Sequence, residues 1–275
     1  MKALEGKVAL VTGAGRGIGA AIAHKLSAAG ARLVINDLDA EPAESVADAI
    51  RAAGGDILVC SGDIVAPAVC DAMVNSAVEG FGGLDIIVNN AGYTWDNVIQ
   101  KMDDEQWRAV IDVHLTAPFQ ILRVASEFIR PATKQEKAEG REVFRKVVNI
   151  SSISGLYGNA GQINYSTAKA GIIGMTRAMA KEWGRYKVNV NCVAFGLIET
   201  RLAQPLAGES ASIQVGDHEI PVGIQQENLS MLNSIIPLGR PGTPQEAAGA
   251  VYLFCIPESD YISGQVVVCS GGLRT

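Results

Sequence analysis

The amino-acid sequence predicts an α/β fold, one domain built around a doubly wound parallel sheet of seven strands. Two observations carry that prediction. Apolar runs of strand length recur from end to end of the chain, separated by segments of helical period. The runs are continuous rather than alternating, the pattern of strands covered on both faces. A chain that alternates strand and helix in this way winds right-handed crossovers over both faces of one sheet.

The first strand is expected over residues 7–11, followed by a glycine-rich loop and a helix over 17–29. The second strand, 32–36, leads into a helix over 42–53 with Asp39 just before it, Pro42 in its first turn and Gly54-Gly55 behind it. Proline's fixed φ suits a first turn and glycine suits a helix exit, so this helix carries its own start and stop. Strands over 57–61 and 85–89 flank a helix over 66–80. A long helix is expected over 105–130, then a strand over 147–151 and a helix over 163–185. A strand over 188–193, a helix over 244–254 and a strand over 265–269 complete the alternation.

Two stretches break the rhythm. Residues 131–146 are strongly charged and read as an exposed helical extension or loop. Residues 202–237 are long and mixed, and short β-type runs on either side of Gly216-Asp217 suggest a hairpin. Long segments of this kind in compact domains are often lids, which suits a substrate loop. No low-complexity linker or repeat divides the chain, so residues 1–275 are expected to form a single domain.

With 275 residues, 48% hydrophobic and 19% charged, the chain can bury a sizeable core and does not resemble a disordered one. A net charge of −6 excludes the broad basic face of a nucleic-acid binder. No apolar stretch approaches a membrane span or the core of a secretion signal, so a soluble, unprocessed protein with no membrane partner is expected. Cys60, Cys70, Cys192, Cys255 and Cys269 form no CxxC pair and have no metal-ligand spacing with histidine. No metal site is expected, and the odd, scattered set suits a reducing cytoplasm, each thiol a small buried hydrophobe.

Thr12-Gly13-Ala14-Gly15-Arg16-Gly17-Ile18-Gly19 falls between the first strand and the first helix. Glycines there let the backbone turn tightly, approach a pyrophosphate and pack helix on sheet, while the helix amides face the phosphates. The strand–loop–helix context makes the expected sheet Rossmann-type and the ligand a dinucleotide. There is no GxxxxGK[ST] motif for a nucleotide triphosphatase. The second strand ends at Asn36-Asp37-Leu38, where an acid accepts from the adenosine ribose hydroxyls. The other reading of Asp37 is the start of a turn in which Asp39 caps the next helix. Arg16 argues for a 2′-phosphate, which it could pair. A fixed negative charge beside that phosphate outweighs a flexible arginine, so NAD(H) is expected over NADP(H).

Tyr165 and Lys169 are four apart at the start of a helix, so both side chains share one face. Ser152 ends a strand upstream, and the carboxyl ends of parallel strands are where such sheets hold ligands. A phenol needs a depressed pKa to exchange protons near neutrality, and an adjacent ammonium stabilises phenolate. Ser152 can hydrogen-bond the reacting oxygen and hold it against the phenol.

These motifs, with Asp63 in GDI, Asn89-Asn90-Ala91-Gly92 and the stretch from Asn191 to Thr200, make the sequence similar to the short-chain dehydrogenase/reductase family. The resemblance is to its 3-oxoacyl-acyl-carrier-protein reductase type and runs from residue 6 to residue 273. It implies that Asp63 and Ile64 bracket the adenine and that Asn90, Ala91 and Gly92 lie against the adenosine ribose. It further implies that Lys169 binds the nicotinamide ribose while tuning Tyr165, and that Ile198 and Thr200 hold the carboxamide and phosphates. Tyr165 would donate its proton to the carbonyl as hydride arrives, and reverse the roles in oxidation.

Three positions depart from the family pattern. His114 stands where the family usually has the asparagine of a water relay. Pro118 has no N–H, which leaves the carbonyl of His114 without its helical donor and free to hold the relay water. His114 is accordingly expected to fill the relay position with catalysis retained; the other reading is a packed core histidine. Phe195 replaces a usual proline and either lines the nicotinamide pocket or covers it. Cys269-Ser270-Gly271-Gly272 lacks the usual acid before its glycines, at a strand that lies on a subunit contact in the family. By the resemblance a homotetramer is expected.

The run from Ser154 to Gln162, together with His114, is similar to the 3-hydroxyacyl dehydrogenase part of peroxisomal multifunctional proteins. It implies an acyl thioester substrate on acyl carrier protein or CoA, with Tyr157 and Gln162 as candidate acyl contacts. The alternatives are a dehydrogenase of another secondary alcohol (steroid, sugar or cyclic alcohol) and a catalytically silent dinucleotide-binding subunit.

Overall fold

A computed structural model describes residues 2–200, 212–215, 218–221, 223 and 234–273. Its centre is a seven-stranded sheet in the order β3-β2-β1-β4-β5-β6-β9, with every neighbouring pair parallel. The strands are β1 (Val8–Val11), β2 (Arg32–Ile35), β3 (Ile57–Val59), β4 (Ile86–Asn89), β5 (Arg145–Ser152), β6 (Val188–Phe195) and β9 (Val266–Cys269). A separate antiparallel hairpin pairs β7 (Ser212–Val215) with β8 (His218–Pro221), where the sequence suggests one. Its turn at 216–217 and the substrate-loop residues 202–211, 222 and 224–233 lie outside the described residues.

The continuous apolar runs have a direct structural cause. Side chains alternate across a strand, so Ala9 and Val11 of β1 enter one core while Val8 and Leu10 enter the other. The first core lies under α1 (Gly17–Ala28), α2 (Ala40–Ala52) and α8 (Pro244–Tyr252). The second lies under α3 (Pro67–Phe81), α5 (Ala117–Ala138) and the C-terminal part of α7 (Ile163–Trp183). With both faces covered, a polar residue in mid-strand needs a partner: Asn149 of β5 donates to Thr176 Oγ1 at 2.9 Å and accepts from Asn89 at 2.8 Å. Truncating Leu10, which is fully buried, would cost about 2–5 kcal/mol.

The helix expected over 105–130 is three pieces. A reciprocal capping box of Asp103 and Gln106 starts α4 (Asp104–Ile111). A π-helical turn then runs over Asp112–Thr116, where the Ala117 amide bonds the Asp112 carbonyl five residues back, and α5 follows. Pro118 lies just past this turn and has no amide to continue the α ladder, so the register slips beside it. Helix α5 passes through Pro131 to Ala138, so the charged stretch 131–146 begins as a helical extension. It is not wholly exposed. Glu136 and Arg145 are buried and form a bidentate ion pair at 2.6 and 2.9 Å. Asp39 precedes α2 without capping it, because its carboxylate binds Arg16 at 2.7 Å instead. No helix among the described residues is long and apolar enough to cross a membrane.

Candidate active site

The strand order reverses between β2-β1 and β4, and the carboxyl ends of β1, β2, β4, β5 and β6 open into one cleft of about 500 Å³ at that switch point. The glycine loop forms one wall. Gly13 has φ +63° and a Cβ there would sit 2.7 Å from Ala91 Cα, while a Cβ at Gly19 would overlap the Gly13 carbonyl. Thr12 Oγ1 accepts from the Asn90 and Ala91 amides at 3.0 Å, and Asn90 Nδ2 donates to the carbonyls of Thr12 and Gly13 at 2.9 and 3.1 Å. The loop is thus stapled to the end of β4. Helix α1 begins with no side-chain cap, so its first-turn amides remain for a ligand.

Asp37 lies at the end of β2 and lines the cleft beside Leu38, its Oδ2 accepting from the Gly15 amide at 2.8 Å. Arg16 also lines the cleft, but its guanidinium is engaged by Asp39. The cradle therefore fits a dinucleotide phosphate and presents a carboxylate beside it.

Across the cleft, β5 ends at Ser152, which caps α6 (Ile153–Tyr157) by accepting from the Ser154 amide at 3.1 Å. The Ser152 hydroxyl faces the Tyr165 phenol closely enough to lower its pKa. One turn on, Lys169 Nζ lies 5.6 Å from the Tyr165 ring centroid and donates to the Ile150 carbonyl at 2.9 Å. Asn164, fully buried, sets the start of α7. Its Nδ2 donates to the carbonyls of Trp95 and Gln106 at 3.0 and 3.2 Å, and its Oδ1 accepts from the Tyr165 amide at 2.8 Å.

Burial governs the titration of this pair. It pushes the Tyr165 phenol up to about 12, against a lowering by the Ser152 hydrogen bond, and brings the Lys169 ammonium down to about 8. Without ligand the phenol is a proton holder, and the depression expected from an adjacent ammonium is not present.

His114 occupies the π turn, 3% exposed, with its ring edge-on to Tyr165 at a centroid separation of 5.1 Å. Its Nε2 lies 2.7 Å from the Tyr93 carbonyl, which can only accept, so Nε2 carries the proton and Nδ1 is a bare acceptor. Nδ1 has no partner in the described structure. Burial, with the Lys169 charge, holds the imidazole far below its ordinary pKa and hence neutral. Gly92 has to be glycine here, because a Cβ would overlap the His114 ring.

The cleft brings together most of the residues singled out in the sequence. Asp63, Ile64, Asn90, Ala91 and Gly92 line it, as do Gly17, Ile18, Ile198 and Thr200 and, on the far side, Gln162 and Phe195. Gly15 contributes through its amide to Asp37. Tyr157 stands outside the lining and is 48% exposed. Tyr93, Thr94, Leu197, Ile213 and Leu273 line the cleft without having been singled out. Tyr93 and Thr94 come just after the Asn89–Gly92 motif and Leu197 lies inside the Asn191–Thr200 stretch, a signal the sequence does contain. Ile213 comes from the hairpin expected within the substrate loop, whereas Leu273 arrives from the C-terminal segment with no local signal. The described residues hold no cluster of histidine, cysteine or carboxylate that could bind a metal.

A family model for short chain dehydrogenases matches residues 7–210. The chain is 36% identical over 270 residues to the 3-oxoacyl-[acyl-carrier-protein] reductase of Vibrio cholerae, covering 98% of each. It is 38% identical over 274 residues to that of Aquifex aeolicus, again with 98% of each chain covered. A solved short-chain dehydrogenase/reductase from Serratia marcescens superposes with a TM-score of 0.82 at 29% identity, over 99% of this chain and 100% of that one.

Proposed function

The chain belongs to the short-chain dehydrogenase family, and from that membership we propose that it interconverts 3-oxoacyl and 3-hydroxyacyl thioesters with NAD(H). It is an oxidoreductase of the CH–OH/C=O pair that uses a nicotinamide dinucleotide. The observation that carries the proposal is the meeting of Ser152, Tyr165 and Lys169 with the glycine cradle in one cleft. The thioester is supported by the names of the Vibrio and Aquifex relatives, which are 3-oxoacyl-[acyl-carrier-protein] reductases; CoA is proposed here as a second carrier. NAD(H) is supported by the Asp37 carboxylate on the cleft wall and by the engagement of Arg16 with Asp39.

We assign each role by the family resemblance, supported by the place of these residues in the cleft. The amides of α1 and the glycine loop take the pyrophosphate, with Asp37 on the adenosine ribose and Asp63, Ile64 and Asn90 to Gly92 around the adenine end. Ile198 and Thr200 take the carboxamide end. A bound dinucleotide supplies or accepts the hydride. Ser152 and Tyr165, both on the cleft wall, hold the substrate oxygen between two hydroxyls, and Tyr165 gives it the proton. Lys169, buried one turn away, stabilises the phenolate left behind. His114 offers its bare Nδ1 as the acceptor for a relay water. Gln162 and Phe195 bound the acyl side.

Oxidation of NADH and of NADPH should be compared with acetoacetyl-CoA, an acetoacetyl carrier protein and a set of cyclic ketones. Thioester turnover with NADH is expected; activity on ketones alone would replace the substrate assignment. Tyr165→Phe should bind dinucleotide normally and lose turnover by at least a hundredfold. Unchanged turnover would remove Tyr165 from its role. A cytoplasmic homotetramer is proposed with this function. The apolar edge at Val267 and Val268, with Leu253 and Tyr261 also exposed, supports self-association, which light scattering would read.

A further inference from the structure

We propose that Ser154 is a second oxygen-binding group of the cleft, a donor to a substrate oxygen that lies two carbons from the reacting carbonyl. The proposal rests on the reading of the cleft as a carbonyl-reducing site, and it gives that site a substrate class, compounds oxygenated on alternate carbons. Ser154 stands two residues after Ser152, its amide donates to Ser152 Oγ at 3.1 Å, and both residues line the cleft. The wall around them is polar, since Thr94, Asn159 and Gln162 line it as well. Two hydroxyls at neighbouring places on one wall match two oxygens at neighbouring places on one substrate.

A chain of hydrogen bonds sets Ser154 from behind. Gln162 Nε2 donates to Asp96 Oδ2 at 2.7 Å. A carboxylate only accepts, so the amide nitrogen has to face Asp96 and Oε1 has to face the other way. There Oε1 accepts twice, from Asn159 Nδ2 at 2.9 Å and from Ser154 Oγ at 3.3 Å. Bonds between oxygens are best near ~2.7–2.8 Å, so the second holds the Ser154 hydroxyl loosely. Ser154 can turn its proton to a substrate oxygen while Gln162 Oε1 keeps the Asn159 donor. The exchange strands no polar atom, which is the condition for a releasable donor. The loop that carries Asp96 is tied to the same wall, because the Asn97 amide donates to the Gly161 carbonyl at 2.8 Å. Gln162, a candidate acyl contact from the sequence, is therefore engaged within the protein and is the positioning residue for Ser154. A substrate that lacks the second oxygen gains nothing from this donor.

The test compares acetylacetone with 2-pentanone, which differ in the second oxygen and need no carrier. Saturation-transfer NMR titrates each into the full-length protein with oxidised NAD present, so that binding is read without turnover. The wild type should prefer acetylacetone. Ser154→Ala should lower that preference about fivefold, the share of one neutral hydrogen bond. Ser154→Thr keeps the hydroxyl and should hold the preference within twofold of wild type. Asp96→Ala frees the Gln162 amide and should lower the preference about threefold. No preference in the wild type would overturn the donor role, as would a change below twofold in Ser154→Ala or the full loss in Ser154→Thr. A change below twofold in Asp96→Ala would overturn the positioning by Gln162. General damage to the fold weakens both ketones alike and leaves the preference where it was. The wider reading fails separately: wild-type turnover in Tyr165→Phe would remove the carbonyl-reducing assignment, whatever the two ketones show. If acetoacetyl-CoA and the acetoacetyl carrier protein are not reduced while the preference moves as expected, the thioester falls and the subsite stands.

Discussion

Removing one negative charge at Asp37 while keeping its shape should shift coenzyme selection toward NADP(H). Asp37 is half-buried on the cleft wall and spends Oδ2 on the Gly15 amide at 2.8 Å. In Asp37→Asn the side-chain oxygen can still accept from that amide, so the glycine loop keeps this bond and only the longer acceptance of Oδ1 from the Asp39 amide, at 3.3 Å, is given up. A 2′-phosphate bears nearly two charges, and at about 5 Å from a carboxylate the repulsion is about 2 kcal/mol at the dielectric of water. It is about 7 kcal/mol at an effective dielectric of 20. The neighbours Leu38 and Asp39 are exposed, which favours the lower figure. Two kcal/mol is about a thirtyfold change in binding. Fluorescence titration of the unliganded protein with NADH and NADPH should show Asp37→Asn lowering the ratio of NADPH to NADH dissociation constants about thirtyfold. The change should shrink between 0.05 and 0.3 M salt, roughly, as screening predicts. Tighter binding of NADPH than NADH by the wild type would refute the reasoning, as would a ratio moved less than threefold.

Three further outcomes follow from the packing and titration of the site. Gly92→Ala drives a Cβ into the His114 ring and should lower Tm by about 3–10 °C; in a His114→Ala background the same change should be nearly neutral. Equal losses in both backgrounds would mean the two residues do not meet. Lys169 is held at about 8 against an ordinary 10.5, so the unfolded chain binds more protons in that window and stability should rise with pH. Between about pH 8 and 9.5 the gain is about 2 kcal/mol, and Lys169→Met should flatten it; parallel profiles would contradict the assignment. Above about pH 10 the high phenol of Tyr165 acts in the opposite sense, since the unfolded chain loses that proton first. Glu136→Gln leaves the Arg145 guanidinium buried without its charge partner and should cost about 3–5 kcal/mol in urea denaturation. A loss under about 1 kcal/mol would show that water reaches the pair.

Much of the site is legible in the sequence because its parts are local. The glycine loop is read from its spacing together with its place between a strand and a helix, since tight turning and phosphate approach need glycine at those steps. Tyr165 and Lys169 share a face by helical period, and Ser152 is placed by the end of an apolar run. The break at Asp112–Thr116 is also written locally, in Pro118, although one long helix was expected there. Burial of Glu136 and Arg145 was not legible, because a charged stretch looks exposed until the partner nine residues away is seen to turn inward with it. Tyr157 is a candidate acyl contact by the resemblance of the Ser154–Gln162 run, but the end of α6 carries it outside the cleft lining while Gln162 stays within it.

By itself, then, the sequence determined the doubly wound sheet, the glycine cradle and the serine, tyrosine and lysine of the site, all features of period and short spacing. Tertiary structure alone decided how those groups behave. It set Tyr165 high and Lys169 low by burying both, engaged Arg16 with Asp39, fixed the tautomer of His114 against Tyr93, and brought Ile213 over the cleft. The reason is physical. Desolvation and hydrogen-bond partners depend on which distant segments pack together, and no local pattern along the chain encodes that.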